Sequence, residues 1–557
     1  MRFKTIATTL VFLISILNLH SQGKQGNMWH FGFNAGVNFN TIPPTPITSS
    51  ISTSEGSASV ANSVGQTLFY TDGLQIWDKN NSLMPNADGS SWNKQLSGDG
   101  SSAQSALITN NPCDTNKYYV FTTDGITCNF LGPQGQWDGL YYTVVNTSLN
   151  AGSGDIDLSY LSTQPGYVAG DNKIALIDSV QERITAATHA NGTDYWVVVL
   201  RENGEFYSYL VDCNGINTTP VITKTFASPF TATQGFISIS KDGTCLVVTG
   251  INSGEANMYD FDNTTGVVSN KRLLYSGSDW TWGVCFSPND SIIYIASWFS
   301  STIRRYDRFA SNVAASEIQD NTGMFGITVI QQGPDGKLYI PDGSNLSVYN
   351  TPNNFSNPGL ASAVISALSG TYYNYGLPNV FLKYYSTSEN NLVQSDTNIC
   401  PGGSVQLSRA TPSNCYTYNW QPTTGLSNPN ILNPIATLEE TTTYKLIATS
   451  SCATIEKEIT IEVCFTEIKI PNVFTPNGDG IDDNWTITSA PGNTVNCIIY
   501  NRWGEIIFEA NEENINWTGT SKNGKTASDG TYYYVLTHSK PNNNEVVEYK
   551  GFVTLLR

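Results

Sequence analysis

The feature that most constrains this chain is a unit of short strands that recurs between about residues 27 and 385. Each copy has a strand of small residues, an Asp-Gly or Asn-Asp turn, an aromatic or β-branched strand, another turn and a third strand. The copies begin at Ala58, Ser105, Ile184, Phe236, Gly283 and Gly326. Their spacing is about 45–50 residues, with one double-length gap after the second copy, and this period is typical of four-stranded propeller blades.

A single blade cannot bury both of its faces, so the copies must stack around an axis and close into a ring. We therefore predict an all-β fold with a seven-bladed β-propeller at residues 22–385, and six or eight blades remain as alternatives. In this prediction the seventh blade is composite. The segment YGLPNVF from Tyr375 gives its inner strand, and MWHFGF from Met28 gives an outer strand.

The first residues have the order of a secretory signal. Arg2 and Lys4 precede an apolar run at residues 6–19, and Asn18, Ser21 and Gln22 follow it. We predict a signal peptide at residues 1–21 with cleavage near Ser21. The run has about fourteen residues and a bilayer-spanning helix needs about twenty, so we predict no membrane span.

The charge of the chain excludes some partners. Its formal net charge is −18, and losing Arg2 and Lys4 with the signal peptide gives −18 − 2 = −20. Such an acidic chain repels phosphate backbones and anionic lipid, so we predict no nucleic acid partner. None of the ten cysteines forms a CxxC pair, which argues against zinc.

From about Ser386 the pattern changes to alternating strands of a small sandwich, which we place at residues 386–465. The order of its segments resembles the polycystic-kidney-disease-like (PKD-like) and immunoglobulin-like modules of bacterial surface proteins. Trp420 suits the core position of such a module, and Tyr444 suits a corner tyrosine. Cys400, Cys415, Cys452 and Cys464 allow three disulfide pairings, of which we favour Cys400 with Cys452.

The last segment, residues 466–557, carries the most specific motifs. It contains IPNVFTPNGDGIDDNWTI, IIYNRWGEIIFEA, WTGTSKNGK, DGTYYYVL and YKGFVTLLR in that order. These blocks strongly resemble the gliding motility-associated C-terminal domain, the type B sorting signal of the type IX secretion system. The resemblance implies a β-sandwich that carries cargo from the periplasm across the outer membrane, with the secretion machinery as its partner.

The resemblance also gives a set of sorting-signal residues. They are Pro471, Asn472, Phe474, Pro476, Asn477, Gly478, Asp479, Gly480, Asp483, Arg502, Trp503, Gly504, Gly530, Tyr532, Lys550 and Gly551.

The loop at residues 477–483 supports two interpretations. Asp479, Asp482 and Asp483 are hard oxygen ligands of the kind that calcium takes. However, the spacing of an EF-hand is absent, and Asn-Gly and Asp-Gly also serve as turns with positive φ. We favour the structural turn, keep calcium as the alternative and predict no other cofactor.

Catalytic groups are sparse in this sequence. Only His30, His189 and His538 follow the signal peptide, and they fall in different units. The Asn-Gly turn after His189 favours a role in packing that turn. Glu55, Gln104 and Gln234 lie near predicted channel entries, and scattered polar residues are typical of any solvated mouth. We therefore predict that the protein is not an enzyme.

Aromatic side chains near predicted loops form the remaining candidate site. These are Trp92, Trp137, Trp280, Trp282 and Trp298. We favour Asp279, Trp280 and Trp282 as a ligand-binding cluster at the mouth, because residues i and i+2 of a strand point the same way. The prediction fails if that face belongs to the core.

Together these features predict a secreted or cell-surface binding or adhesion protein, exported by the type IX system and binding a glycan or a surface protein. The first alternative is an extracellular propeller hydrolase or lyase acting on polysaccharide or lactone. A central metal or a pair of carboxylates converging at the mouth would favour it. The second alternative is a structural component of surface filaments.

Overall fold

The computed structural model describes most of the chain after residue 22. The described residues are 23–557 apart from 124–138, 202, 226–233, 251–253, 325, 382, 384–396, 400–401, 409–415, 450–453, 464–467, 489–493 and 540–545. About 52% of the chain is strand and 3% is helix, which confirms the all-β prediction. The chain divides into two compact units, Met1–Asn390 and Asn391–Arg557. The predicted signal peptide lies outside the described residues.

The described part of the first unit contains seven antiparallel sheets in chain order. Sheet 1 is β1 Met28–Phe31, β2 Phe33–Asn38 and β3 Thr45–Ser52, and sheet 2 is β4 Ala58–Ala61, β5 Thr67–Thr71 and β6 Ile76–Asp78. Sheet 3 is β7 Ala106–Asn111, β8 Asp114–Thr123, β9 Gly139–Asn146, β10 Asp155–Ile156 and β11 Ile174–Asp178. Sheet 4 is β12 Val180–Thr188, β13 Tyr195–Arg201, β14 Glu205–Asp212, β15 Gly215–Ile216 and β16 Val221–Lys224.

The other three sheets have four strands each. Sheet 5 is β17 Ile237–Ile239, β18 Cys245–Gly250, β19 Glu255–Asp262 and β20 Val267–Ser276. Sheet 6 is β21 Thr281–Phe286, β22 Ile292–Ser297, β23 Thr302–Asp307 and β24 Ile318–Asn321, and sheet 7 is β25 Gln331–Gln332, β26 Leu338–Asp342, β27 Asn345–Tyr349 and β28 Leu360–Ser366. The short helices are Leu149–Gly152 and Leu158–Leu161, with 3-10 turns at Trp92–Lys94 and Ala314–Ser316.

The first strands of the sheets face a common axis. From sheet 2 to sheet 7 each first strand contacts the first strand of the next sheet, in the order β4, β7, β12, β17, β21 and β25. One continuous core runs through all seven sheets, with Trp29, Val120, Val199 and Ile295 among its fully buried members. These strands are rich in Val, Ile, Tyr and Phe because both faces of each sheet pack against neighbouring sheets.

Sheet 7 meets sheet 1 and closes the ring. The Tyr339 ring of β26 lies 5.7 Å from Trp29 of β1 and 5.2 Å from Phe39, both edge to face. Gly343, after β26, forms an antiparallel bridge with Asn374. Residues from the two ends of the propeller sequence therefore share one interface.

The closing segment, residues 372–381, lies between this interface and the axis. Tyr373 stacks on Phe31 at 5.2 Å, and Pro378 forms a parallel bridge with Ser57 at the start of sheet 2. The Asn379 backbone N–H donates to the Ser57 carbonyl (2.8 Å), and its side-chain amide donates to the Ile184 carbonyl of sheet 4 (3.1 Å). A residue bonded to sheets 2 and 4 while adjacent to sheet 1 lies at the centre of the ring.

The seven-bladed prediction is confirmed, and the two chain ends meet as predicted. The order of strands in the composite blade was wrong, however. Met28–Phe31 is not an outer strand, because the sheet order is β1-β2-β3 and β1 contacts β4 on the inner side. The segment from Tyr375 forms isolated bridges rather than a ladder. Pro378 lacks the N–H that a regular ladder requires.

The second unit contains two sandwiches with separate cores. The first pairs the sheet β29-β34-β33-β31 with the sheet β30-β32. Its strands are β29 Thr397–Ile399, β30 Gly403–Gln406, β31 Thr417–Gln421, β32 Ile435–Leu438, β33 Thr442–Thr449 and β34 Thr454–Val463. Trp420 and Tyr444 are fully buried, 6.4 Å apart and edge to face, and the Tyr444 hydroxyl donates to the Thr424 carbonyl.

The second sandwich pairs the sheet β35-β41-β40-β37-β38 with the sheet β36-β39. Its strands are β35 Val473–Phe474, β36 Trp485–Thr488, β37 Val495–Tyr500, β38 Ile506–Glu512, β39 Asn514–Trp517, β40 Gly530–Ser539 and β41 Val546–Leu555. Trp485 and Trp517 face each other in register and are fully buried. Across the described residues, no helix has the length and hydropathy of a membrane span.

We expect Gly376→Ala to destabilise the propeller, because a Cβ at this position overlaps the Glu55 carbonyl oxygen. The closing segment then has to shift, at a cost of about 1–3 kcal/mol. The free energy of unfolding of the propeller transition measures the effect. Gly100→Ala is the matched control, since a Cβ there meets only Thr53 at an ordinary 3.4 Å. Equal destabilisation by both variants would show that the segment does not hold the ring closed.

Candidate functional site

Two polar residues predicted near the channel entries bond to other sheets. The Gln104 side-chain amide, just before β7, donates to the Ile237 carbonyl of sheet 5 (3.1 Å) and accepts from the Ile237 N–H (2.9 Å). The Gln234 backbone carbonyl accepts from the buried Arg183 guanidinium of sheet 4 (2.6 Å). The Gln104 side chain and the Gln234 backbone therefore form contacts between sheets.

Glu55 belongs to an acidic group beside the closing segment. Burial, together with the charges of Glu182 and Asp99, raises the pKa of Glu55 from 4.5 to about 8. Glu182 is buried and accepts from the Ala103 N–H (3.2 Å). Burial also raises the pKa of Asp72 to about 6. A general acid must still carry its proton near neutral pH, and a raised pKa gives a carboxyl group this property.

The predicted Asp279–Trp280–Trp282 cluster is only partly at the surface. Trp280 is half-buried, and its ring lies 4.5 Å from Phe299, which is 52% exposed. Trp298 contacts Tyr375 of the closing segment at 5.6 Å. We name Trp280, Trp298, Phe299 and Tyr375 the aromatic mouth.

Trp282 and Asp279 do not fit the predicted role. Trp282 is 7% exposed and packs against Trp298 at 5.1 Å, so it is a core residue. Strand β21 begins at Thr281, which leaves Trp280 outside the strand and free to take a different direction. The Asp279 carboxylate accepts from the Arg304 guanidinium (3.0 Å) and from Ser300, so its charge is already compensated.

The three histidines are separated. His30 is buried and stacks on Tyr70 at 4.2 Å, and burial lowers the pKa of this imidazole to about 3. His189 Nδ1 accepts from the Asn191 N–H (3.1 Å), as its predicted turn-packing role requires. His538 stacks on Tyr549 at 6.0 Å in the last sandwich. These positions do not form one catalytic group.

The acidic loop at residues 477–483 is organised by its own backbone. The two Asp483 carboxylate oxygens accept from the N–H groups of Gly478 (2.7 Å) and Gly480 (2.8 Å), and these bonds lower the pKa of Asp483. Asp479 accepts from the Ile481 N–H (2.8 Å). The described residues contain no group of three His, Cys, Asp or Glu side chains that could hold a metal ion. The structure therefore does not assemble Asp479, Asp482 and Asp483 as a calcium site.

The predicted sorting residues divide into buried and exposed groups. Phe474 and Tyr532 are buried, with rings 5.1 Å from Trp517 on either side. The Pro471 carbonyl accepts from Trp485 Nε1 (2.6 Å). By contrast, Trp503 is 74% exposed, with the Arg502 guanidinium 4.7 Å from its ring centre.

The remaining sorting residues lie in turns or on exposed strands. Gly478, Gly480 and Gly504 have positive φ, which explains glycine at these turns. The Asn472 carbonyl accepts from the Thr554 N–H (2.9 Å), and Lys550 pairs with Glu548 (2.6 Å). The others in the predicted set are Pro476, Asn477, Asp479, Asp483, Gly530 and Gly551.

The outer face of the last sandwich carries apolar residues that sequence reasoning missed. Tyr533 and Phe552 are directly opposite each other on β40 and β41 and are 52% and 53% exposed. Ile506, at the start of β38, is 44% exposed on the same sheet. Alternation along β40, where Tyr532 points inward, was the signal that could have identified Tyr533 as outward-facing.

The predicted pair Cys400–Cys452 and Trp137 lie outside the described residues. Cys213 is disulfide-bonded, while Cys245, Cys285 and Cys497 carry free thiols. Burial raises the pKa of the Cys245, Cys285 and Cys497 thiols to about 12, which makes them poor nucleophiles at neutral pH.

The first unit is a seven-sheet ring, and the second unit contains two sandwiches, the last of which carries the predicted sorting motifs. Residues 468–555 match the family described as CHU_C Type IX secretion signal domain. The C-terminal domain is therefore a type IX secretion signal domain, as its motifs predicted. This signal directs export to the cell surface or into the medium. No curated protein matches the chain.

Among solved structures, three similar proteins illustrate the fold. A putative 6-phosphogluconolactonase from Bacteroides fragilis is 12% identical, with 71% of this chain and 92% of that chain covered and a TM-score of 0.32. The periplasmic gluconolactonase of Pseudomonas aeruginosa is 12% identical, with 70% of this chain and 92% of that chain covered and a TM-score of 0.32. PorZ of Porphyromonas gingivalis, a surface component of the type IX secretion system, is 9% identical, with 96% of this chain and 76% of that chain covered and a TM-score of 0.27. Because these TM-scores are all below 0.5, the similarities support no conclusion beyond the strand order described above.

We expect Glu55→Gln to change how stability depends on pH. The folded carboxyl keeps its proton up to about pH 8, whereas the unfolded chain loses it near 4.5. Unfolding therefore releases a proton between these values, and stability falls as pH rises through that window. Glutamine removes this contribution, so the variant gains stability relative to wild type from pH 5 to 8. The measurement is the free energy of unfolding of wild type and Glu55→Gln from pH 5 to 8. Parallel dependence of the two free energies on pH would contradict the raised pKa of Glu55.

Proposed function

We propose that this protein is a non-catalytic binding protein, an adhesin or accessory binding protein, whose propeller binds an extracellular ligand at the aromatic mouth. The observation that carries this proposal is the aromatic mouth, where Phe299 and Tyr375 are exposed and Trp280 is half-buried, beside an axis occupied by the chain's own closing segment. Exposed aromatic groups are typical of interaction sites. The ligand class is a glycan, a matrix polymer or a surface protein.

The closing segment supports a binding role over a catalytic one. Gly376 packs against the Glu55 backbone, and the Tyr375 N–H donates to the Ser54 carbonyl (3.2 Å). Asn379 and Gln104 then cross the axis with hydrogen bonds. A substrate would have to displace these contacts before it reached the axis, whereas a ligand at the mouth meets side chains that are already exposed.

The first sandwich of the second unit is, in this proposal, an immunoglobulin-like or PKD-like spacer. Its support is the buried Trp420 and the Tyr444 hydroxyl bonded to the Thr424 backbone, which are features of such modules.

One observation favours the enzyme alternative. Glu55 and Glu182 converge near the closing segment, and the pKa of Glu55 near 8 suits a general acid. One Glu55 carboxylate oxygen is buried and has no hydrogen-bond partner among the described residues. A hydrolase using this pair would need the closing segment to move.

For export, we propose that the secretion machinery contacts the exposed sorting features. These are the loop at residues 477–483, the Arg502–Trp503 turn and the Tyr533–Phe552 pair. The buried residues Phe474 and Tyr532 act on recognition through the fold of the domain.

We expect deletion of residues 471–557 to trap the protein in the periplasm, and Trp503→Ala to lower the exported fraction several-fold. Trp503→Ala leaves stability within about 0.5 kcal/mol, because the side chain is exposed. Phe474→Ala lowers both export and stability, the latter by about 3–5 kcal/mol. Immunoblots of periplasm, surface and medium, with melting curves, separate the two effects.

Phe309→Ala is the matched control for Trp503→Ala. Phe309 is 69% exposed and carries an adjacent arginine, Arg308, 5.1 Å from its ring, but it lies in the propeller. Its substitution leaves export unchanged. Normal export of the chain without residues 471–557 would refute the role of the sorting domain.

We expect Phe299→Ala to weaken binding of the mature protein to its extracellular ligand at least tenfold without loss of stability. An exposed aromatic anchor contributes on the order of 2 kcal/mol at an interface centre. The assay is a panel of glycans, matrix polymers and surface extracts, with Phe309→Ala as control. Hydrolysis of a polysaccharide or lactone that Glu55→Gln abolishes would favour the enzyme instead.

A further inference from the structure

A second recess in the propeller lies away from the aromatic mouth. It is a cleft of about 530 Å³ between the β4–β5 turn of sheet 2 and the β7–β8 turn of sheet 3. Small-molecule sites in proteins are typically about 300–1,000 Å³. We name it the amide cleft. The residues that line it and carry the argument are Asn62, Ser63, Asn110, Thr115, Asn116 and Tyr118.

The amide cleft and the aromatic mouth lie at opposite ends of the strands. In sheets 2 and 3 the first strand begins near Ser57 and Ser105, next to the closing segment and Gly73, and ends at the turns that form the cleft. The mouth residue Tyr375 contacts the loop at Ser54, which precedes β4. The cleft and the mouth are therefore separate sites.

The lining of the cleft is polar but almost uncharged. Among the described residues that line it, amide and hydroxyl side chains predominate, no carboxylate occurs, and Lys383 is the one basic residue. Amides present donors and acceptors together, and sugar hydroxyls require both. An anionic ligand such as a phosphate would instead need several arginines or lysines.

Two of the asparagines hold the walls of the cleft in place. Asn62 Oδ1 accepts from the N–H groups of Val64 (3.1 Å) and Gln66 (2.9 Å). Asn111 Oδ1 accepts from the N–H groups of Cys113 (2.8 Å) and Asp114 (3.1 Å). Both turns are therefore fixed before a ligand arrives, which reduces the entropy that binding has to overcome.

Other polar groups remain available to a ligand. Thr115 and Asn116 are exposed at the rim, and among the described residues neither side chain has a hydrogen-bond partner. The Asn116 backbone is nevertheless anchored, because its carbonyl accepts from the Thr147 N–H (2.8 Å). The rim thus combines a fixed backbone with free donors and acceptors.

The inner wall gives the cleft an apolar surface. Tyr118 is 7% exposed and packs edge to face against Phe69 at 5.6 Å, with Leu68 beside it. Burial raises the pKa of Tyr118 to about 12, so its hydroxyl stays neutral and can donate. An aromatic and aliphatic wall with amides around it matches a sugar ring, which has C–H faces and hydroxyl edges.

We propose that the amide cleft binds an uncharged oligosaccharide. This inference rests on the proposed binding function and adds a second site with a defined ligand class. Asn116 and Thr115 bond to sugar hydroxyls at the rim, and Tyr118 and Leu68 contact the ring. Ser63, on the opposite rim, limits how far the sugar enters.

The test uses the full mature chain on an array of neutral gluco-, xylo- and manno-oligosaccharides, with uronate-containing oligosaccharides as a second arm. Binding of the best ligand is then measured by calorimetry. We expect Asn116→Ala to weaken binding about three- to tenfold, as for the loss of one or two hydrogen bonds. Ser63→Arg fills the entrance and abolishes binding. The matched controls are Asn312→Ala and Ser311→Arg, which lie in an exposed loop after β23.

The outcomes separate this proposal from the proposed function. A neutral glycan that binds equally to wild type and to both cleft variants, but weakly to Phe299→Ala, supports the mouth and overturns the cleft. Preference for uronate-containing oligosaccharides overturns the ligand class. Binding to a surface protein without any glycan overturns the cleft and leaves the binding function intact. Absence of all binding overturns both.

Discussion

Closure of the ring is the interaction on which the rest of the structure depends. Each sheet has apolar residues on both faces, so an open edge at sheet 1 or sheet 7 would expose core to water. Trp29 and Tyr339 cover that edge from the two ends of the propeller sequence, and the closing segment adds Tyr373 on the inner side. These residues are about 310–340 positions apart, so the closure is a long-range contact that forms only when all seven sheets are in place.

Closure of the ring also determines which polar groups near the axis are accessible. Once residues 372–381 lie at the centre, the hydrogen bonds of Asn379 and Gln104 use the axial carbonyls that a metal or substrate would otherwise face. The carboxyl groups of Glu55 and Glu182 remain beside the segment, with a raised pKa that follows from burial. This pKa has a structural explanation, and the two binding sites that we propose lie at the two ends of the strands.

The sequence identified the features that repeat and missed those that depend on orientation. A period of 45–50 residues predicts the number of sheets, and the dense motifs of residues 466–557 identify the sorting domain. The i and i+2 rule failed for Trp280 and Trp282, because β21 starts at Thr281 and only Trp282 follows the strand. For the acidic loop the sequence favoured a structural turn, with calcium as the alternative, and the backbone N–H groups of Gly478 and Gly480 donate to the Asp483 carboxylate. The amide cleft could not be predicted from the sequence, because its two turns are about fifty residues apart and only the fold brings them together.

The motifs of the sorting domain divide by exposure into two groups of residues with different roles. Phe474 and Tyr532 pack on Trp517, so they determine whether the sandwich forms at all. A receptor cannot contact side chains that are buried, but it can contact Trp503 and the Tyr533–Phe552 pair. Burying single aromatics of this size contributes on the order of 2 kcal/mol each. In the export interaction that we propose, the secretion machinery covers Trp503 and the Tyr533–Phe552 pair during transit.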